Sequence, residues 1–356
     1  MLATNAPLAC AMLGTRRLAG IRTQVSGPRL VEGTETVPEP IRVDILHIND
    51  FHRRLEPGTD GSGGAARLAS RVRQARDEHP DALLVNVGDV AGDLAAPGPD
   101  AFEPLPALFN QMGVDILTPG NHEFEDPEGE YRTLREGLFR PMKAEVVLSN
   151  VRLADGRPLE GTKPFTLRQL AGVNVAFVGA VTRSLASAVF PTAGAGLEVA
   201  PLDQALELAA RQARAEGAEA VVALVHDGLR SSRTLGTQVP GVDLILAAHD
   251  HQVTPEPVQV DGPEGPVWVA EAGGYGTQVG LATLLVDPHS RRVVGVEGRM
   301  LPVTPDLAPD PDVQALVDGY GGTRKVQHSP KKKTWETLQG FADLKSRLNR
   351  PTEERP

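Results

Sequence analysis

The sequence predicts an α/β protein whose parallel strands are covered on both faces. Three observations carry this. Short apolar runs without polar alternation recur at residues 82–87, 220–225 and 242–248, the pattern of strands buried on both sides. Segments with apolar residues at helical spacing lie between the strand candidates, notably residues 63–78 and 202–216. Residues able to do chemistry cluster just after the strands, and in open α/β sheets ligands gather at the carboxyl ends of strands.

The elements follow in order. Val43-Asp44-Ile45-Leu46-His47-Ile48 reads as a strand, residues 63–78 as a helix with arginines on its outer face, and residues 82–87 as a short buried strand. A helix is expected at residues 101–112, behind Pro97-Gly98-Pro99, and a strand at 114–117. Residues 128–139 read as helical, and residues 145–148, 165–170 and 173–181 as strands. An alanine-rich helix at 202–216 precedes the strands at 220–225 and 242–248, and strands at 267–270, 280–286 and 292–301 close the array. Residues 310–318 read as a short helix broken by Gly319, Gly321 and Gly322, after which a basic tail with Lys331-Lys332-Lys333 runs to Pro356.

Composition narrows the function. Hydrophobic residues make up 40% and charged residues 23% of the 356, the balance of a globular chain with a sizeable core. No apolar run approaches the ~18 residues that span a bilayer. A net charge of −10 argues against a nucleic-acid backbone as partner. Cys10 is the only cysteine, so an intrachain disulfide and thiolate metal ligation in the folded part are excluded.

Five short segments then stand out: Asn49-Asp50-Phe51-His52, Gly88-Asp89, Gly120-Asn121-His122-Glu123-Phe124-Glu125, Val225-His226-Asp227 and His249-Asp250-His251. Singly, each is an ordinary turn, a surface imidazole or a hydrogen-bonded structural histidine. Together, all at strand ends, they offer the carboxylate, imidazole and amide oxygen that a pair of divalent ions requires. Such a pair, about 3.5–4 Å apart, neutralises phosphoryl oxygens and activates water. Asp50 and His52 are two apart on an extended strand end, so their side chains point the same way; His249 and His251 repeat that spacing. Asp89 is the natural bridge, His226 ends a strand, and Asn121 supplies an amide behind a turn that Gly120 permits.

These motifs resemble the calcineurin-like metallophosphoesterase superfamily. Leu46-His47-Ile48-Asn49-Asp50-Phe51-His52, Gly120-Asn121-His122-Glu123-Phe124 and Gly273-Gly274-Tyr275-Gly276 resemble its 5′-nucleotidase branch, which includes 2′,3′-cyclic-nucleotide phosphodiesterases, UDP-sugar hydrolases and a thiosulfohydrolase. The resemblance covers residues 41–303 and implies a four-layer α/β/β/α sandwich. It implies one ion held by Asp50, His52, Asp89 and His251, and a second by Asp89, Asn121, His226 and His249. It implies that His122 faces the leaving group, steadied by an acid in its own loop. That acid is Asp in the branch and Glu125 here, with Asp126 as the alternative. Arg53 stands where the branch has glycine, which makes it, with Asn121, a candidate substrate contact. Asp227 and Asp250 adjoin ligands but point to the opposite side, which suits supporting roles.

The resemblance divides the chain into a flexible leader (1–40), a metallophosphoesterase domain (41–303) and a linker-helix remnant with a mobile basic tail (304–356). Residues 302–356 are too few for the branch's second, base-stacking domain, so a short or truncated member is expected. The expected activity is two-metal hydrolysis of small phosphate esters, foremost 5′-nucleotides, with cyclic nucleotides or UDP-sugars as alternatives and an inactive metal-binding scaffold as the reading from another class. Mn²⁺, Zn²⁺ and Fe²⁺ suit the ligands comparably. Cys10 lacks a preceding basic residue and apolar core, and Arg16-Arg17 lacks a following apolar stretch. The cytoplasm is therefore the default compartment, although the branch is often exported.

Overall fold

Alternation along the first strand explains the layering. In β1 (Ile41–Ile48), Val43 and Ile45 join one buried cluster, while Leu46 and Ile48 join another. Successive side chains leave a strand on opposite faces, so both faces of β1 are covered. The computed structural model describes residues 38–92, 99–125, 131–183, 185 and 197–323. The expected leader up to residue 37, the tail from residue 324 and Asp126 lie outside them.

After β1 come α1 (Ala65–Glu78), β2 (Leu83–Asn86), α2 (Leu105–Met112), β3 (Ile116–Leu117), α3 (Tyr131–Leu134), β4 (Glu145–Val147), β5 (Val151–Leu153), β6 (Thr162–Lys163), β7 (Phe165–Leu170), β8 (Val173–Val181) and β9 (Leu197–Val199). Then follow α4 (Leu202–Ala215), β10 (Ala220–His226), α5 (Leu229–Gln238), β11 (Leu244–Ala248), β12 (Val258–Gly262), β13 (Gly265–Glu271), β14 (Gln278–Val286), β15 (Val293–Pro302) and α6 (Pro311–Thr323).

One sheet has the order β15-β14-β1-β2-β3-β4-β6, a second β12-β13-β11-β10-β8-β7, and β5 pairs with β9. In the first sheet β1, β2, β3, β4 and β6 run parallel, with β14 and β15 added antiparallel at one edge. In the second, β8, β10, β11 and β13 run parallel, flanked by antiparallel β7 and β12. The inner faces meet in one core, where Ile45, Val85 and Leu284 of the first sheet cluster with Phe177, Leu224 and Trp268 of the second. Helices α1, α2 and α6 cover the outer face of the first sheet through Leu68, Phe109 and Val313. Helix α4 covers that of the second through Leu206, Ala209 and Ala213, and α5 through Leu235. The result is the α/β/β/α sandwich.

Two sequence expectations shift in detail. The helix expected at residues 101–112 begins as a 3-10 turn, Pro99–Phe102, before α2. Residues 131–134 are α-helical, but Arg135–Phe139 continues as a π-helical stretch. Helix α5 carries no sequence signal. It is polar apart from Leu229 and Leu235, and its first N–H, that of Leu229, is capped from another loop by the Asp250 carboxylate at 3.1 and 3.2 Å.

Candidate metal centre

The five segments converge where the parallel strands of both sheets end. Asp50 and His52 follow β1, Asp89 follows β2, Asn121 and His122 follow β3, His226 is the last residue of β10, and His249 and His251 follow β11. Backbone bonds lace the loops together: Asp50 N–H donates to the Gly88 carbonyl at 2.9 Å and His52 N–H to the Asp89 carbonyl at 2.9 Å. Gly88 and Gly120 have to be glycine, because a Cβ on Gly88 would lie 2.4 Å from Gly120 N, and one on Gly120 would lie 2.1 Å from Asp89 Oδ1.

Each carboxylate is split between structure and site. Asp50 Oδ2 accepts from Asn49 Nδ2 at 2.7 Å and from the His249 N–H at 3.0 Å. Asp50 Oδ1 is buried without a hydrogen-bond partner and lies 3.4 Å from His251 Nε2 and 3.7 Å from His52 Nε2. Asp89 Oδ1 accepts from the His122 N–H at 2.9 Å, while Oδ2 lies 3.1 Å from His226 Nε2 and 3.8 Å from His52 Nε2. His226 Nδ1 is 2.7 Å from the Val87 carbonyl. A carbonyl only accepts, so Nδ1 carries a proton, and Nε2 is the nitrogen turned into the site, able to ligate a cation in place of its own proton. His52 Nε2 and His251 Nε2 face each other at 3.0 Å.

Ligand atoms of Asp50, His52 and His251 lie within 4.8 Å of one another, as do those of Asp89, His226 and His249 and those of His52, Asp89 and His122. Asp50 Oδ1, His226 Nε2 and Asn121 Oδ1 are all buried without a hydrogen-bond partner. Burying three such atoms unsatisfied is costly, and a divalent cation would satisfy each. The residues therefore fit a metal. Electrostatics agree. Burial alone would raise Asp50, yet His251, His52 and His226 hold it well below the carboxylate range. Burial would lower His226, yet Asp89 and Asp50 pull it up to about 10. The cluster attracts positive charge.

The backbone is strained at the same points. Asp50 (φ 50°), His52 (46°), Asp89 (52°), His249 (100°) and His251 (57°) are all left-handed without being glycine. Such residues cost roughly 1–3 kcal/mol each and collect at functional sites.

His122 Nδ1 lies 2.9 Å from Glu125 Oε2, so glutamate spans the distance the shorter aspartate was expected to cover. Burial would lower His122, but Glu125 and Asp89 hold it up to about 9; cations nearby act in the opposite sense. His122 lines a cleft of ≈ 500 Å³ with His52, Arg54, Asp89, Gly92, His249, His251 and Tyr275. A cavity of ≈ 540 Å³ opens before β10 and β11. It holds none of the five segments, and there Arg214 pairs with Asp243 at 2.6 Å.

Arg53 is placed differently from the expected rim contact. Its guanidinium donates to the Ala101 and Glu103 carbonyls and lies 3.4 Å from the Tyr320 hydroxyl, and Arg54 is the arginine in the cleft. Glu123 went unnoticed in sequence. It is 1% exposed and accepts from the backbone N–H groups of Asp89 (2.8 Å), Ala91 (2.9 Å) and Gly120 (2.6 Å), stapling the β2 loop to the β3 loop. Burial and Asp89 raise it to about 7, against its hydrogen bonds. Glu123→Gln keeps the shape but turns an NH₂ toward at least one donor. We expect a loss of about 1–3 kcal/mol in stability and weaker metal retention. Thermal unfolding and metal titration check this; an unchanged melting temperature would dismiss the staple.

A metal-dependent phosphoester hydrolase is the class this fold and cluster define. The sequence matches the calcineurin-like phosphoesterase family over residues 43–253, and the chain belongs to that family. Among curated relatives, it is 26% identical over 314 residues to a 5′-nucleotidase of Bos taurus, covering 79% of this chain and 53% of that protein. It is 26% identical over 322 residues to the endonuclease YhcR of Bacillus subtilis, covering 80% of this chain and 26% of that protein. The chain thus spans between a quarter and about half of these relatives. Among solved structures, a 5′-nucleotidase precursor from Thermus thermophilus has the same fold, with a TM-score of 0.69 and 23% identity over 79% of this chain and 59% of that one. The calcineurin-like phosphoesterase YfkN from Bacillus subtilis gives 0.68 and 20%, over 80% of this chain and 98% of that one. Among the described residues, no helix is long and apolar enough to cross a membrane.

Proposed function

We propose that this chain is a two-metal hydrolase of nucleotide phosphate esters, 5′-nucleotidase-like in action. The observation that carries it is the set of buried, unpartnered ligand atoms on Asp50, Asn121 and His226, contributed by the strand ends of both sheets. Asp50, His52, Asp89 and His251 would hold one divalent ion, and Asp89, Asn121, His226 and His249 the other. When bound, the ions supply charge neutralisation at the phosphoryl oxygens and a water acidic enough to react at neutral pH.

The protein's own groups do the rest. Asp89 lies between the two histidine clusters and is the shared ligand. Glu125 accepts from His122 Nδ1, which fixes the ring and leaves Nε2 toward the cleft to give a proton to the departing oxygen. The substrate is a small nucleotide ester, for which the 5′-nucleotidase relatives are the support. The test is phosphate release from 5′-AMP, 2′,3′-cyclic AMP and p-nitrophenyl phosphate, with Mn²⁺ and with EDTA. Release from 5′-AMP that EDTA abolishes is expected. Release from the aryl ester alone would remove the nucleotide part, and no release from metal-loaded protein would turn it into a scaffold.

A further inference from the structure

The proposed function gives no role to Tyr275, the most conspicuous aromatic residue in the cleft. Tyr275 is 40% exposed and left-handed, at φ 60°, in the turn between β13 and β14. Glycine would occupy that backbone without strain, so the tyrosine side chain is held there against a backbone preference. Its N–H donates to the Asp50 carbonyl at 2.6 Å, which ties the turn to the metal-ligand loop. Its ring meets His251 edge-on, with centroids 4.8 Å apart at 82°, and lies 5.5 Å from His52.

Arg54 covers the ring, its Cζ 4.8 Å from the centroid. The two adjacent arginines thus divide. Arg53 is committed to the carbonyls of Ala101 and Glu103, whereas Arg54 is exposed and lines the cleft. Among the described residues, no hydrogen bond is formed by the Arg54 guanidinium. Stacking on an aromatic face engages the plane of a guanidinium and leaves its N–H edge for planar, bidentate recognition of a phosphate. A phosphoryl group undergoing hydrolysis already has the ligand cluster to neutralise it. Arg54 stands one aromatic ring away from His251, where a second charged group of the same substrate would reach.

We propose that Arg54, seated on Tyr275, is a specificity-determining contact for a second anionic group carried on the leaving-group side of the substrate. This rests on the phosphoesterase reading above and sharpens it. Esters whose leaving group itself bears phosphate are favoured over those whose leaving group is neutral.

The test compares wild type, Arg54→Gln, Arg54→Lys and Tyr275→Leu with Mn²⁺ on ADP and on p-nitrophenyl phosphate. It also measures binding of the non-hydrolysable methylene-bridged ADP analogue by calorimetry. Arg54→Gln should lower kcat/KM for ADP by roughly 10–100-fold, mainly through KM, and weaken the analogue by a similar factor. The aryl ester should stay within about twofold, since its leaving group carries no phosphate for this contact. Lysine should restore only part, and Tyr275→Leu should reproduce part of the loss. Equal losses on both substrates, or analogue binding unchanged by Arg54→Gln, overturn the proposal while leaving the hydrolase standing. A wild type that hydrolyses neither substrate, yet binds the analogue through Arg54, refutes the hydrolase and keeps the contact.

Discussion

Asp89→Ala should empty the centre and reduce turnover by about 10³-fold or more, because several kcal/mol of charge stabilisation leave with the shared carboxylate. Among the described residues, Asp89 is the carboxylate that two ligand clusters share. It is 1% exposed, its Oδ1 holds the His122 N–H at 2.9 Å, and its Oδ2 lies 3.1 Å from His226 and 3.8 Å from His52. Its ligand atoms belong to two of the three clusters, the one with His226 and His249 and the one with His52 and His122. Removing it takes away the carboxylate that lies between His52 and His226 and leaves buried His226 without its nearest counter-charge. Bound metal, measured by elemental analysis after gel filtration, should fall together with activity. Wild-type metal content and turnover in this variant would show that the centre is elsewhere. The fold should persist, since Asp89 contributes no apolar surface to the three core clusters.

His122→Ala should separate catalysis from metal binding. The expected loss is about 10²–10⁴-fold in kcat, the usual worth of a positioned proton donor, with metal content unchanged. The leaving group supplies the finer test. A nucleoside alkoxide needs a proton far more than p-nitrophenolate does, so the loss should be much larger on 5′-AMP than on the aryl ester. Equal losses on both would make His122 a positioning residue. Glu125→Gln should show the same asymmetry at smaller size, because the amide oxygen still accepts from Nδ1, which lies 2.9 Å from the carboxylate now, without stabilising the imidazolium.

Much of this was legible in the sequence, for a physical reason. Buried parallel strands must be continuously apolar, so residues 220–225 and 242–248 announced β10 and β11, and the polar residues at their ends could only face the rim. The spacing of Asp50 and His52, and of His249 and His251, picked out residues that do meet, but not through the extended backbone expected: all four lie beyond their strands with left-handed φ, between 46° and 100°. What stayed hidden depended on contacts distant in sequence. The cap of α5 comes from Asp250, 21 residues beyond Leu229, so a polar helix showed no local start signal. Glu123 looks like any solvated glutamate until three backbone donors from two loops are seen to meet it. The exchange of roles between Arg53 and Arg54 was beyond sequence reasoning, since two adjacent arginines differ only in what the fold lays beside them: carbonyls for one, a tyrosine ring for the other.

The left-handed ligand residues have a consequence for selection. At His251, with φ 57°, glycine would relax the main chain by about 1 kcal/mol and delete a proposed ligand in the same step. Screens of this protein for heat resistance, run without an activity requirement, should therefore accumulate glycine and asparagine at the rim and return sturdy, inert variants. Durability and catalysis compete here residue by residue, and a thermostabilised form that still works has to gain its stability in the layers below.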